Sequence, residues 1–132
     1  MDILRDLKFA DIQVIGQSAD LAVIFCYHLQ KRRIICVDQH AAHERILYER
    51  LLHNLKIKLD SHKIKSKACH SAIRIGARLS LRQSQAIIKR LLMCKVPFRC
   101  AHFRCGVGVL ENIDKIIHLD RMRGDQEILN DP

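Results

Sequence analysis

The chain has no tryptophan, and aromatic residues make up only 5% of it. A core built from it must therefore rest on isoleucine, leucine and valine. No stretch of apolar residues is long enough to cross a bilayer, which excludes a helical membrane span. Residues 1–8 are charged and hold no apolar run, so no secretory leader is expected. There is no low-complexity linker and no internal repeat, which excludes solenoid architectures. A length of 132 residues fits one compact domain and leaves little room for a second.

What is present is apolar and basic. Hydrophobic residues reach 48%, enough for a sizeable core without staples. The formal net charge is +9, with lysine and arginine spread along the chain. Such a balance favours nucleic acid or another polyanion as partner. A merely soluble basic protein is the alternative. Six cysteines occur, at 26, 36, 69, 94, 100 and 105. Without a leader they are expected to be reduced, in a cytosolic or nuclear compartment. There a Cys/His cluster signals metal more often than a disulfide.

Residues 11–17 are moderately apolar and are read as ending in a glycine turn. DLAVIFCYH at 20–28 and IICV at 34–37 favour strands, joined by a charged turn. Together they suggest two or three strands meandering antiparallel. From His40, HAAHERILYERLLHNL has helical character without glycine or proline. Ile46, Leu47, Leu51 and Leu55 form its expected core stripe, while Arg45 and Glu49 pair on another face. The polar segment 56–67 leaves room for a strand through Ile57, Leu59 and Ile64. ACHSAIRI at 68–75 is read as a short helix. Ser80 and Gln83 have capping-box spacing ahead of a clearer helix, whose apolar face is Leu81, Ile87, Ile88, Leu91 and Leu92. Pro97 marks its stop. CGVGVL at 105–110 reads as a strand weakened by two glycines. The sum is an α+β fold, a small mostly antiparallel sheet covered by helices. Its core is expected over about 11–118, with 119–132 a frayed tail.

Two clusters could carry chemistry. Asp38 stands where a strand becomes a helix, and His40 and Glu44 are one helical turn apart on one face. Imidazole and carboxylates in that arrangement can hold a divalent ion. The plainer alternative is an N-capping Asp38 beside a surface His–Glu pair. His43, three residues from His40, could line the same site, but a solvated side chain is the expectation. Glu49 lies roughly opposite His40 around the helix, so its partner is Arg45 and not the ion. The second cluster is Cys100 and His102 with Cys69 about thirty residues earlier. Three such ligands suit zinc. A position at the start of a helix would favour the Cys69 thiolate. The alternative is buried cysteines with an exposed His102, and Cys26, Cys36 and Cys94 are read as core.

In combination the segments resemble a known family. DQHAAHERILYE at 38–49 fits the pattern DQHA(X)2E(X)4E of nicking-competent MutL mismatch-repair homologues. ACHSAIR from Ala68 is similar to the family's ACR-type element, and PFRCAHFR at 97–104 to its CPHGRP-type element. The three stand in family order, with SLRQSQAIIKRLL between the last two, and the likeness spans roughly residues 12–117. ACH and CAH in place of ACR and CPH lean toward the meiotic paralogue.

The resemblance implies a C-terminal dimerisation and endonuclease domain whose metal site incises one strand of duplex DNA. It assigns Asp38, His40, Glu44, Cys69, Cys100 and His102 to that site. Asp38 and Glu44 would hold the reactive ion, and His40 would reach toward zinc. Zinc is the family's structural or regulatory ion, and manganese or magnesium supports cutting. Duplex DNA and a second MutL-family subunit are the implied partners, in a heterodimer or homodimer, and the implied location is the nucleus. Hydrolysis of a phosphodiester needs a nucleophilic water and neutralised phosphate charge, both of which metal ions provide. Lysines and arginines would bind phosphates without reading sequence.

Some features depart from the pattern. About a dozen polar residues, 56–67, stand where the family carries a long regulatory subdomain, so that lobe is expected to be lacking. QEILNDP at 126–132 matches a sliding-clamp motif poorly, and a clamp is not an expected partner. Phe103 and Cys105 replace a glycine and a proline of the third element, which would reshape its loop and add a competing thiol. The family's N-terminal ATPase has no counterpart among these residues. Two other readings remain: a non-catalytic dimerisation module with a structural zinc, and a basic DNA-binding protein without metal.

Overall fold

The computed structural model describes residues 3–54, 61–99 and 105–112. Four strands, β1 (Ile12–Ser18), β2 (Val23–His28), β3 (Arg33–Asp38) and β4 (Val107–Asn112), form one sheet in the order β1-β2-β3-β4. Every adjacent pair is antiparallel. Three helices accompany it: α1 (Gln39–Asn54), α2 (Ser61–Ser71) and α3 (Leu81–Leu92). This is the α+β arrangement expected from the sequence, with a meander at its centre.

Side chains of a strand alternate between the two faces of a sheet, and burial follows. Ile24 and Cys26 on β2 stand opposite Val37 and Ile35 on β3, and all four are buried. Ile12 and Val14 on β1 and Val107 on β4 complete that inner face. α3 packs across β1 and α1 across β3. Ile87, Ile88 and Leu91 from α3, with Ala42 and Ile46 from α1, close one continuous core. Ile3 belongs to it at 4% exposure, so the core reaches back beyond the expected start at residue 11. The outer face carries Phe25, Tyr27, Ile34 and Cys36, which are only half-buried, and Leu110 is exposed.

Local sequence explains most boundaries. Ser80 caps α3 by accepting the Gln83 N–H at 3.1 Å, while the Gln83 side chain accepts the Ser80 N–H at 2.9 Å. This reciprocal box satisfies two otherwise unpaired donors. α3 ends at Leu92 with Met93 as its cap, five residues before Pro97, and Leu81 is exposed rather than apolar-facing.

Several expectations are corrected. Gly16 lies within β1, where the register shifts between Val14 and Gly16. It serves a bulge and not a terminal turn. Residues 61–67 are helical: α2 runs from Ser61 to Ser71, buried at Ile64 and Ala68, with Ala72 buried just past its end. That four-residue spacing is a helical stripe, too sparse to stand out among so many lysines. α1 keeps Ile46 inside, but its other buried positions include Glu44 and Arg45. Leu47 and Leu51 are half-buried. Ile57 and Leu59 of the expected strand, Leu55 of the expected stripe, and the end of the core and tail from 113 onward lie outside the described residues.

Candidate metal centre

α1 begins directly after β3, and the junction is fixed from both sides. The Asp38 carboxylate accepts the Ala41 N–H at 2.9 Å, an N-cap. The Asp38 N–H donates to the Gly106 carbonyl at 2.8 Å, tying the junction to the segment before β4. A Cβ on Gly106 would stand 3.0 Å from the Ala41 Cβ, so a glycine lets this backbone approach α1 closely.

From the second residue of the helix, His40 Nε2 lies 3.3 Å from Oε2 of Glu44, one turn further on. The Cys69 Sγ lies 3.8 Å from the same nitrogen. Nitrogen, oxygen and sulfur thus converge from two helices, all three within 4.8 Å of one another. Ligands at zinc-like bond lengths around a tetrahedral ion stand roughly 3.3–3.6 Å apart, so the spacing fits a divalent cation. Glu44 is 3% exposed, and a carboxylate so deep needs compensating charge or hydrogen bonds. The donors are a borderline nitrogen, a soft sulfur and one hard oxygen, a set that could hold a metal ion.

Neighbouring side chains fix the ligands. His40 Nδ1 lies 2.9 Å from the Ile73 carbonyl. A carbonyl only accepts, so Nδ1 carries the proton and Nε2 is the nitrogen turned to the cluster. His43, expected to be solvated, is half-buried, and its Nδ1 accepts the Ile73 N–H at 2.8 Å. Burial, then the charges of Arg50 and Arg90, then His40, hold its pKa below the usual histidine value. Gln39 is fully buried. Its amide donates to the carbonyls of Arg74 at 3.2 Å and Ala77 at 3.1 Å, and accepts from Gln17 at 2.6 Å. Three α1 side chains therefore hold the segment 73–77.

The opposite side of α1 holds the segment before Cys100. Glu49 accepts the N–H groups of Lys95 at 2.6 Å and Val96 at 3.3 Å. Arg45 donates from Nε to the Arg99 carbonyl at 2.7 Å, pairs with Glu49 at 3.4 Å and lies over the Tyr48 ring. The expected Arg45–Glu49 pair exists, but it is buried at its arginine end and does more than decorate a surface. Arg99 and Cys105 form an isolated antiparallel bridge.

Of the six anticipated site residues, the structure brings His40, Glu44 and Cys69 together. Asp38 is exposed, caps α1 and stands outside that group. Cys100 and His102 lie outside the described residues. Cys105 is exposed, donates to the Val107 carbonyl and is not in the group either. Cys69 lies in the last turn of α2, not at a helix start. The positive end of the helix dipole is therefore remote from it, and neighbouring ligands must account for any thiolate. Sequence reasoning missed Gln39 and Gln17, and it set His43 aside as solvated although its place three residues from His40 allowed it to line the site. For Gln39, its position beside His40 in the DQHA segment was the hint.

These observations define a small α+β domain with a three-residue N/O/S donor cluster at its first helix. No protein-family model matches the chain. It is 43% identical to the human DNA mismatch repair protein Mlh3 over 51 residues, 39% of this chain and 4% of that protein. It is 38% identical to the DNA mismatch repair protein MutL of Prosthecochloris aestuarii over 72 residues, 53% of this chain and 11% of that protein. An alignment of 129 residues with the MutL of Chloroherpeton thalassium is 28% identical and covers 87% of this chain and 19% of that protein. The chain spans less than a fifth of the length of these curated relatives. The similarities support a MutL-family mismatch-repair protein.

Proposed function

We propose that the chain is the metal-dependent DNA-nicking and dimerisation domain of a MutL-type mismatch-repair protein, nearest the meiotic paralogue and nuclear. The observation that carries this reading is the convergence of Cys69 from α2 on His40 and Glu44 from α1. His40, Glu44 and Cys69 would hold zinc, with Cys100 and His102 completing the set. Asp38 and Glu44 would hold manganese or magnesium for incision. Such an ion, when bound, lowers the pKa of a coordinated water and offsets negative charge on the phosphate.

The chain's own residues do the rest. Glu44 contributes a buried carboxylate beside the partly exposed His40 and Cys69. Asp38 offers a second, exposed carboxylate at the helix start, where a DNA strand has access. The Ile73 carbonyl keeps the His40 imidazole in one orientation. Lys67, Arg74 and Arg78 are exposed on the segment that bears Cys69 and its continuation. They suit phosphate binding without base readout. The half-buried outer sheet face suits a second MutL-family subunit.

Full-length chain, assembled with its partner subunit, should nick supercoiled plasmid in the presence of Mn²⁺. Asp38→Asn and the near-isosteric Glu44→Gln should each abolish nicking with an unaltered circular-dichroism spectrum. Unchanged nicking in both variants would rule out the catalytic assignment. One observation favours a second reading, a non-catalytic dimerisation module with structural zinc: Asp38 is already engaged by the Ala41 N–H. That reading expects zinc to co-purify, to be lost on Cys69→Ser, and plasmid to stay supercoiled with the intact chain.

A further inference from the structure

We propose that His43 is a positioning residue for this centre, setting the tautomer and aim of His40 through the backbone of Ile73. The inference rests on the metal-binding reading above and adds a residue to it. His43 donates nothing to the cluster, yet it is one turn along α1 from His40, and the two imidazoles engage the same residue. The Ile73 N–H donates to His43 Nδ1 at 2.8 Å, and the Ile73 carbonyl meets His40 Nδ1 at 2.9 Å. The Ile73 side chain packs against the hydrophobic core, so residue 73 is anchored at three points.

The partners leave no choice of roles. A backbone N–H only donates, so His43 Nδ1 must be unprotonated. A carbonyl only accepts, so His40 Nδ1 must carry its proton. His40 Nε2 is then the atom left for the cluster, 3.3 Å from Glu44 and 3.8 Å from Cys69. If the His43 bond is lost, residue 73 keeps its side-chain packing, the His40 contact and the Gln39 bond to its neighbour Arg74, but its own N–H is no longer pinned to α1. The carbonyl can then rotate, and with it goes the preference of His40 for the Nδ1–H form. Partners of this kind, which fix a ligand imidazole from behind, typically change metal affinity by about 10–100-fold when removed. Residue 73 also follows Cys69 by four positions, so the same anchor holds the end of α2 against α1.

The test uses the full chain and two substitutions. His43→Leu removes the acceptor. His43→Asn keeps one, because its carbonyl oxygen stands near the place of Nδ1. Nitrogen-15 spectra of the metal-free protein at pH 8 should show His40 in one Nδ1–H tautomer. A mixture is expected in His43→Leu, and the single form again in His43→Asn. Titration with Co²⁺ should give a thiolate charge-transfer band that disappears in Cys69→Ser. His43→Leu should weaken Co²⁺ binding about 10–100-fold, and His43→Asn should recover most of the loss. An unchanged His40 tautomer in His43→Leu, or equal defects in the two variants, overturns the proposal. Absence of the cobalt band from the unmodified chain sinks the metal reading instead, and the tautomer measurement still decides the role of His43.

Discussion

At the scale of single residues the cysteines sort by surroundings. Cys26 is 1% exposed, facing the core between Val14 and Ile35. Burial, with a contribution from Cys36, pushes its thiol up to about 12 from an ordinary 9.0. Burial raises Cys36 as well. Burial and then the Glu49 carboxylate raise Cys94 to about 11. Only Cys26 is in the core as expected; Cys94 packs against the core just past α3, and Cys36 stands half-buried on the outer face of the sheet, because its position in β3 alternates with the inward Ile35 and Val37. The consequence for pH has a definite sign. An unfolded chain gives up the Cys26 proton near 9.0, while the folded chain keeps it until about 12. The folded state therefore binds more protons in that window, and stability falls as pH rises through it. Urea midpoints of the native protein should drop more steeply above pH 9.0 than those of Cys26→Val, which has no such proton to lose. Parallel slopes would show that the thiol does not stay neutral in the fold.

At the scale of elements, α3 was legible apart from the exposed Leu81 and its early end, and α2 was not. α3 announces itself by a capping box and an apolar stripe that packs on β1. α2 carries SHKIKSKACHS, and its buried face is only Ile64 and Ala68, with Ala72 just beyond its end. Its main packing partner is α1. A helix held by so little apolar surface depends on whatever else joins it to its neighbour. Here Cys69 meets His40 and Glu44, so an ion at the cluster would staple α2 to α1. Zinc at about 100 times its dissociation constant would add about 2.7 kcal/mol to stability. Added zinc should therefore raise the melting temperature and slow amide exchange across α2, and chelation should reverse both. Cys69→Ser should abolish the response. A response that survives Cys69→Ser would mean that the ion binds elsewhere.

At the scale of the whole molecule, what the sequence revealed depended on the range of the interaction. His40 and Glu44 could be paired from spacing alone, since four residues make one helical turn. Gln39, His43 and Arg45 could not be understood that way, because their partners lie 35, 30 and 54 residues away in the chain. Nothing local distinguishes a histidine that accepts a distant N–H from one in solvent. The meander was legible because β1, β2 and β3 are joined by short turns, and its two faces follow from alternation. That alternation leaves an unusual outer face. Phe25 and Tyr27 of β2 and Ile34 and Cys36 of β3 are registered opposite one another, with Leu110 of β4 beside Ile34. Contiguous apolar surface of this kind on a basic, otherwise charged molecule suits the subunit contact proposed above. Strands at its centre are paired on both sides, so a partner must lie flat on the side chains and cannot add a strand there. Ile34→Glu puts a charge into the middle of that face without entering the core. Sedimentation should find the native chain dimeric, alone or with its partner subunit, and Ile34→Glu monomeric at the same concentration with an unaltered circular-dichroism spectrum. An Ile34→Glu protein that still assembles would move the interface off this sheet.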